Sequence, residues 1–563
     1  MAWLAHGQQS ASADMVLLNG AITVGDASAT EHEALAIRGE HILAVGTNAE
    51  IAALAQPQTT VVDLEGRRVI PGLIDSHMHL VRAGLTWNDE LHWDGIASLD
   101  AALALIAQAA AIQPEGSWIR VVGAWHPGQF AEKRGPSRAD LNAVAPRHPV
   151  YVQMLYEDAL INDAALRICE IATETSDPQG GVFERDAAGA PTGRMRGVAA
   201  FNYVLQRMGS ATLDQQIAST RAMLQAFGRV GLTTGIDTGG LGAAWDIYQP
   251  IFALARQGNM GFRARLYVGA TERGREQQQI ADWMERFSGD PAGSDGPGDA
   301  YVQVIGAGEI IVFGYHDLEG LTPFSVPPAS RRELAEITRM VARHGWPMTI
   351  HAVWDTTIAA VLDVWEEVDR EIPLAGRRFS IAHADMITAG DLARVRRMGI
   401  GITVQDRLIF RSADSATAWG AEKAHVAPPL RRMLDLGIPV GAGTDATRVT
   451  SYNPWVSLWW LITGCSVDGA PPRDQQQCLS RAEALRLYTS GSAWFSFDEQ
   501  RLGTLEPGKL ADLVVLSDDY FTVPTEAIPS LQSVLTVVGG RLVYAAGAFA
   551  ALASSPDQPS PSA

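Results

Sequence analysis

A chain of 563 residues, 47% hydrophobic and 19% charged, carries ample apolar material for a large core and exceeds one simple domain. Its formal net charge of −19, from 44 basic and 63 acidic residues without a basic stripe, argues against nucleic acid or an anionic membrane surface as a partner. Three widely spaced cysteines (Cys169, Cys465 and Cys478) fit neither a disulfide framework nor a zinc knuckle and read as small core residues.

The start, Met1 to Asp14, lacks a basic n-region and an apolar h-region. No run approaches the ~18 apolar residues a membrane span needs. As written, the chain reads as cytoplasmic; a signal removed and replaced would make it periplasmic or secreted. Met15 to Val24 and Ala34 to Val45 are short strand-like runs, with turns at Asn19-Gly20 and Arg38-Gly39. Near the other end Leu513 to Leu516, Val534 to Val538 and Arg541 to Tyr544 repeat that pattern around a Gly539-Gly540 hairpin signal. Neither segment can build a good core alone. Residues 14–70 and 500–547 are therefore expected to pair into one small β-sandwich made from both termini.

Between them strands alternate with helices, which argues for an α/β class with a parallel sheet. The predicted strands are Val69–His79, Thr233–Thr238, Arg263–Gly269, Val302–Glu309, Pro347–His351, Phe379–His383, Gly401–Gln405 and Pro439–Asp445. Helical stretches such as Gln215–Arg229, Pro328–His344 and Thr356–Val368 intervene. Eight strands predict a (β/α)8 barrel of the TIM type over residues 71–499. The gap between the first two strands is too long for one helix, so residues 81–230 should form an insertion subdomain over the barrel mouth. The tail from 548 to 563, rich in Ser, Pro and Ala, is expected to be disordered.

The first strand ends His77-Met78-His79, and alternation along a strand points both imidazoles the same way. Glu309, His351, His383 and Asp445 stand at the ends of the fourth, fifth, sixth and eighth strands. A barrel brings all these C-terminal ends to one face, where active sites are built. Imidazole nitrogens and carboxylate oxygens are the ligand set of Zn²⁺ or a similar divalent ion. Four histidines and two carboxylates exceed the needs of one tetrahedral ion with an open position and suit a bridged pair.

The run Pro-Gly-Leu-Ile-Asp-Ser-His-Met-His at 71–79, the strand-end His351 and His383, and Gly-Thr-Asp at 443–445 resemble the amidohydrolase superfamily. The segment from Leu502 to Leu516 is similar to the strand that returns to that family's sandwich. Arg185 to Gly193 and the long insertion resemble its YtcJ-like branch, also called amidohydrolase 3. The resemblance implies a metal-dependent hydrolase, usually acting on C–N bonds, with a small molecule as substrate and zinc as the foremost metal. It implies that His77 and His79 hold the more buried ion and His351 and His383 the second. Asp445 is then both ligand and general acid/base to a metal-activated hydroxide. Many members of the branch carry a carboxylated lysine at the end of strand four. This chain has Glu309 there, which can bridge two ions without a CO₂ adduct or serve as a structural carboxylate, so one ion or two stays open.

Four further residues are candidates for substrate contact. Arg407 can fork onto a substrate carboxylate or bridge to a neighbouring loop. Arg448, Tyr156 and His316 can face the pocket or pack. His92, His126 and His425 are read as bystanders. Trp87, Trp93 and Trp125 lie in the insertion, and any that line the pocket would favour a partly apolar or aromatic substrate. The reading is thus hydrolysis of an amide, N-acyl or cyclic amide bond. The alternatives are C–O cleavage of an ester or lactone on the same fold, or a non-catalytic barrel used as a binding module. Assembly into a homo-oligomer is an expectation from the resemblance alone.

Overall fold

One glycine divides the first predicted strand between two sheets. A Cβ at Gly72 would lie 2.3 Å from Thr233 Oγ1, so the chain approaches its neighbour too closely there for any side chain. The single strand expected over Val69–His79 is therefore two, Arg68–Pro71 and Leu73–Met78. The computed structural model describes residues 12–26, 30–156, 158–240, 242–258, 260–287 and 301–554.

Eight parallel strands form the barrel: β1 (Leu73–Met78), β2 (Leu232–Asp237), β3 (Arg263–Val268), β4 (Val302–Ala307), β5 (Thr349–Ala352), β6 (Ser380–His383), β7 (Gly401–Gln405) and β8 (Val440–Gly443). They run as two four-stranded arcs, β1 to β4 and β5 to β8. A parallel bridge between Ala307 and Met348 joins the arcs on one side. On the other, Asp445 N–H donates to the His77 carbonyl (2.8 Å) and His79 N–H to the Ala446 carbonyl (2.9 Å), closing β8 onto β1. The closing seam is thus made by backbone of the very residues that end these strands.

The strands are buried almost throughout, as a parallel sheet covered by helices requires, with polar and charged side chains such as Asp75, Thr234, Arg263 and Arg265 among the apolar ones. The covering helices start and stop on local signals. Thr212 caps Leu213–Arg229 through a capping box with Gln215. Gly345, at φ +87°, ends Pro328–His344 in the left-handed conformation.

The chain before and after the barrel builds two facing sheets. One orders His41–Gly46, Ala34–Arg38, Met15–Leu18 and Thr60–Asp63. The other orders Arg541–Ala545, Ser533–Val538, Leu513–Leu516, Arg68–Pro71, Ala21–Thr23 and Glu31–His32, mixing strands from both ends of the chain. Leu17, Leu35, Val69, Leu513 and Val537 fill the space between them. The disorder expected from residue 548 does not begin there. Gly547–Ser554 is a 3₁₀ helix and Phe549 is buried in this same core, an apolar anchor that the small-residue composition around it concealed. Residues 555–563 lie outside the described residues.

Residues between β1 and β2 contain a five-stranded mixed sheet ordered Val182–Arg185, Pro191–Arg196, Asp158–Ile161, Val150–Met154 and Ile119–Val122. Trp93, Trp125 and Phe130 pack together in the core of this insertion, the two indoles at 5.0 Å between ring centroids. They supply its own interior and not the wall of the barrel cavity. Gly123 presses on the loop after β8, where an added Cβ would sit 2.1 Å from the Arg448 carbonyl oxygen, and Ala124 N–H donates to that oxygen at 3.3 Å. Among the described residues no helix is long and apolar enough to cross a membrane.

Candidate active site

The barrel delivers all six predicted ligand residues to its C-terminal mouth, each 6% exposed or less. His77 Nε2 lies 3.0 Å from Glu309 Oε2 and 3.7 Å from Asp445 Oδ1. His79 Nε2 lies 3.0 Å from Asp445 Oδ1 and 3.8 Å from Glu309 Oε2. Opposite, His351 Nδ1 stands 3.7 Å from Glu309 Oε1, and the His383 ring centroid is 4.4 Å from that of His351. Glu309 therefore turns one oxygen toward each side of the site. Donor atoms of His77, His79 and Asp445 fall within 4.8 Å of one another; so do those of His77, Glu309 and His383, and those of Glu309, His316 and His351.

Which nitrogen each histidine offers is decided by the other nitrogen's partner. His79 Nδ1 bonds the Gly239 carbonyl at 2.8 Å, leaving Nε2 to the site. His351 is turned the other way, with Nε2 against the Leu318 carbonyl (2.7 Å) and Asp317 Oδ1 (3.1 Å). The Nδ1 atoms of His351 and His383 are buried without a hydrogen bond among the described residues. Buried nitrogens left unbonded beside carboxylates are costly unless something with positive charge binds them. This donor set, nitrogen and oxygen without sulfur, fits a divalent cation of the zinc type.

The electrostatics differ from group to group. Burial, then the charges of His351, His77 and Arg407, hold His383 well below the usual histidine range, keeping its imidazole neutral as a ligand must be. Burial opposes ionisation of Glu309, yet His77 and His351 hold its carboxyl well below the usual range. His351, against the pull of burial, is pushed up to about 10 by Asp317 and Glu309, two negative groups gathered about one imidazole. His383 (φ +72°) and Asp445 (φ +57°) both sit in the left-handed backbone region, the strain that turns their side chains into the mouth.

A cavity of about 350 Å³ opens above these groups. Tyr156, His316 and Arg407 line it, as the sequence suggested; Arg448 is not among its lining residues. Arg407 is engaged already: Nε donates to Asp385 Oδ2 (3.0 Å) and Nη1 to the Glu319 carbonyl (2.7 Å), so the bridging role weighed for it is the one observed. His316 is half-buried beside His351, and loss of solvent with that neighbour's charge pushes it down to about 3, a neutral imidazole. His92 packs on Trp87 at 4.0 Å between ring centroids.

Sequence reasoning passed over three residues here. Asp317 orients His351; Thr238 donates from Oγ1 to Glu309 Oε2 at 2.9 Å; Arg82 lines the cavity. Thr238 directly follows β2, at a strand end like the six candidate ligands, and that position was the available signal. Asp317 and Arg82 lie in loops and short helices with no periodicity to mark them.

The sequence profile of the amidohydrolase family matches residues 60–544. An N-substituted formamide deformylase of Arthrobacter pascens is 27% identical over 94% of this chain and 98% of its own length. The putative amidohydrolase YtcJ of Bacillus subtilis is 26% identical over 87% of this chain and 91% of its own. Among solved structures, a metal-dependent hydrolase from Pyrococcus horikoshii superposes with a TM-score of 0.64 at 20% identity, covering 91% of this chain and 99% of that one. A match that spans barrel, insertion and sandwich alike, on a fold whose mouth gathers four histidines and two carboxylates, places the chain in the amidohydrolase family, beside YtcJ.

Proposed function

We propose that this hydrolase cleaves the C–N bond of an amide, N-acyl or cyclic amide group in a small, partly apolar molecule. The observation that carries the reading is Glu309, whose two oxygens face opposite sides of the histidine cluster while Asp445 stands against His79 on one of them. His77, His79, Glu309, His351, His383 and Asp445 would hold one or two divalent ions, zinc foremost, with Glu309 as the bridge. Such ions, when bound, acidify water towards a pKa of ~7 and polarise a carbonyl oxygen. Asp445 is placed to accept the proton of an attacking water and return it to the departing nitrogen, general base turned general acid. Thr238 holds Glu309, and Asp317 holds His351, so that neither can swing away from the centre. Leu318, Val198 and Val449 give the cavity apolar walls that exclude water and suit an apolar portion of substrate. The similar formamide deformylase supports C–N cleavage, since its name sets its action on N-substituted formamides.

Elemental analysis of protein purified without chelators or metal-affinity resin tests the centre. Close to two divalent ions per chain supports the bridge; one ion makes Glu309 a ligand or neighbour of a single metal. Metal-loaded protein is then offered N-formyl and N-acyl amines beside esters and lactones. Turnover confined to the esters and lactones would move the reading to C–O bonds, and protein that neither carries nor takes up metal would return it to a binding module. Asp445→Asn should abolish turnover with an unchanged circular dichroism spectrum; a variant as active as the parent removes Asp445 from the mechanism.

A further inference from the structure

Three arginines stand at or beside the cavity, and their surroundings differ. Arg407 is neutralised by Asp385 and bonded to Glu319. Arg82 lies in the short helix Leu80–Gly84 immediately after His79, lines the cavity, and sets its guanidinium carbon 5.9 Å from the ring centroid of Tyr156. Neither Arg82 nor Arg448 forms an ion pair with a carboxylate among the described residues. Burial opposes the charge on Arg82, and Tyr156, Asp237 and Asp445 hold it above the usual arginine range; the two Asp237 oxygens already accept the Val81 and Gly239 N–H groups, each at 2.8 Å.

Arg448, on the loop after β8, is the more frustrated of the two. Burial first, and then the charge of Arg82, hold it below the usual arginine range. Two half-buried guanidinium groups that share a neighbourhood and form no ion pair among the described residues have donors to offer a bound anion. The cavity wall has another feature with the same preference. Gly197 and Val198 line it at the start of the helix Val198–Leu205, whose N-cap offers no side chain to the first N–H groups. Tyr156, also in the wall, adds a phenolic O–H donor.

We propose that Arg82, with Tyr156 beside it in the cavity wall and the charge of Arg448 outside that wall, forms an anion subsite, and that the substrate is an amide bearing a free carboxylate, of the N-acyl amino acid kind. The carboxylate docks on the Arg82 fork while the amide reaches Asp445, both residues lining the same cavity of about 350 Å³. The assignment of substrate rests on the C–N hydrolytic reading above; the subsite itself does not.

The test separates the two. Calorimetric titration compares N-formylphenylalanine with N-formyl-2-phenylethylamine, the same formamide without its carboxylate, on wild type, Arg82→Gln, Arg82→Lys and Arg448→Gln. Wild type should bind the acid roughly 10- to 100-fold more tightly, the worth of a charge-assisted hydrogen bond. Arg82→Gln should bring that ratio towards one, Arg448→Gln should lower it, and Arg82→Lys should keep part of it. Equal binding of the two ligands by wild type, or a ratio that survives in Arg82→Gln, overturns the subsite. Turnover of both compounds, measured in parallel on metal-loaded protein, reports on the hydrolytic reading alone. Hydrolysis without a binding preference leaves that reading standing and removes the subsite. Preference without hydrolysis of either formamide keeps the subsite and removes the substrate assignment.

Discussion

His351 presents Nδ1 to Glu309 only because Asp317 and the Leu318 carbonyl occupy Nε2. Asp317 itself is fully engaged, accepting the Val353 and Trp354 N–H groups, so its carboxylate cannot drift. Asp317→Asn should therefore keep the fold and weaken metal binding by about 10- to 100-fold, the usual effect of losing the partner that orients a ligand. Competition against a chromophoric chelator reads this directly; unaltered affinity would mean that His351 is held by the Leu318 carbonyl alone. Neither Asp317 nor its role was legible in the sequence. His351 was, because a strand end is a position that local periodicity can mark, whereas Asp317 reaches it from a loop 34 residues earlier in the chain.

At the scale of the element, the seam between β8 and β1 is the most exacting part of the barrel. Asp75 accepts the His77 N–H at 2.9 Å and the Thr444 hydroxyl at 2.7 Å, tying the first strand to the last. Gly443 fits between them, since a Cβ there would fall 2.5 Å from the His77 nitrogen and 2.6 Å from Asp75 Oδ1. Gly443→Ala should cost about 1–3 kcal/mol by overpacking. It should also displace His77 and Asp445, so that denaturation midpoint and metal content fall together; a stable variant with full metal content would show that the seam can relax. A different element carries a pH signature. Glu483 is held down to about 2, mainly by Arg431 across from it and by the Ser480 cap of the same helix. Its folded value lies below the ordinary 4.5, so the stability it contributes is present above that pH and is lost as pH falls towards 2. Glu483→Gln should flatten the acid limb of a stability–pH curve over that interval, and superimposable curves for variant and parent would assign the limb to other carboxylates. Arg263 and Arg265, two strands round from the seam, illustrate what periodicity leaves unread. Both are wholly buried in β3, where a pattern-based reading expects apolar side chains.

Those two arginines explain how the whole molecule is joined. Arg263 bonds Asp512 and Arg265 bonds Asp498, each with a shortest N–O distance of 2.7 Å, so barrel strand β3 is tied to the segment that returns to the sandwich. Asp512 also accepts the Gly539 N–H at 2.7 Å, from the hairpin of the larger sheet. Removing one partner strands the other's charge in the interior. Arg263→Ala should accordingly destabilise the protein by about 3–5 kcal/mol in chemical denaturation. A loss below ~1 kcal/mol, the range of an exposed pair, would show that water reaches Asp512. The insertion is joined differently, by close backbone approach: Gly123 and Ala124 rest on Arg448, and Tyr156 reaches the cavity from the same subdomain. The wall that would select a substrate is thus built partly from the insertion and partly from barrel loops.

What the sequence by itself determined was local. All eight strands were legible as runs between helices of matching period, and so were the six candidate ligand residues, because each stands within two residues of the C-terminal end of its strand. Eight such units suggested a barrel, in which the strand ends share one mouth. The break at Gly72, the anchoring of Phe549 and the retreat of Trp93 and Trp125 into the insertion were decided by packing between segments far apart in the chain. The same holds for the partners of the ligands. Asp317 on His351, Thr238 on Glu309 and Arg82 beside Tyr156 meet because the barrel closes and the insertion folds over it, and a one-dimensional pattern carries no record of which loops then touch.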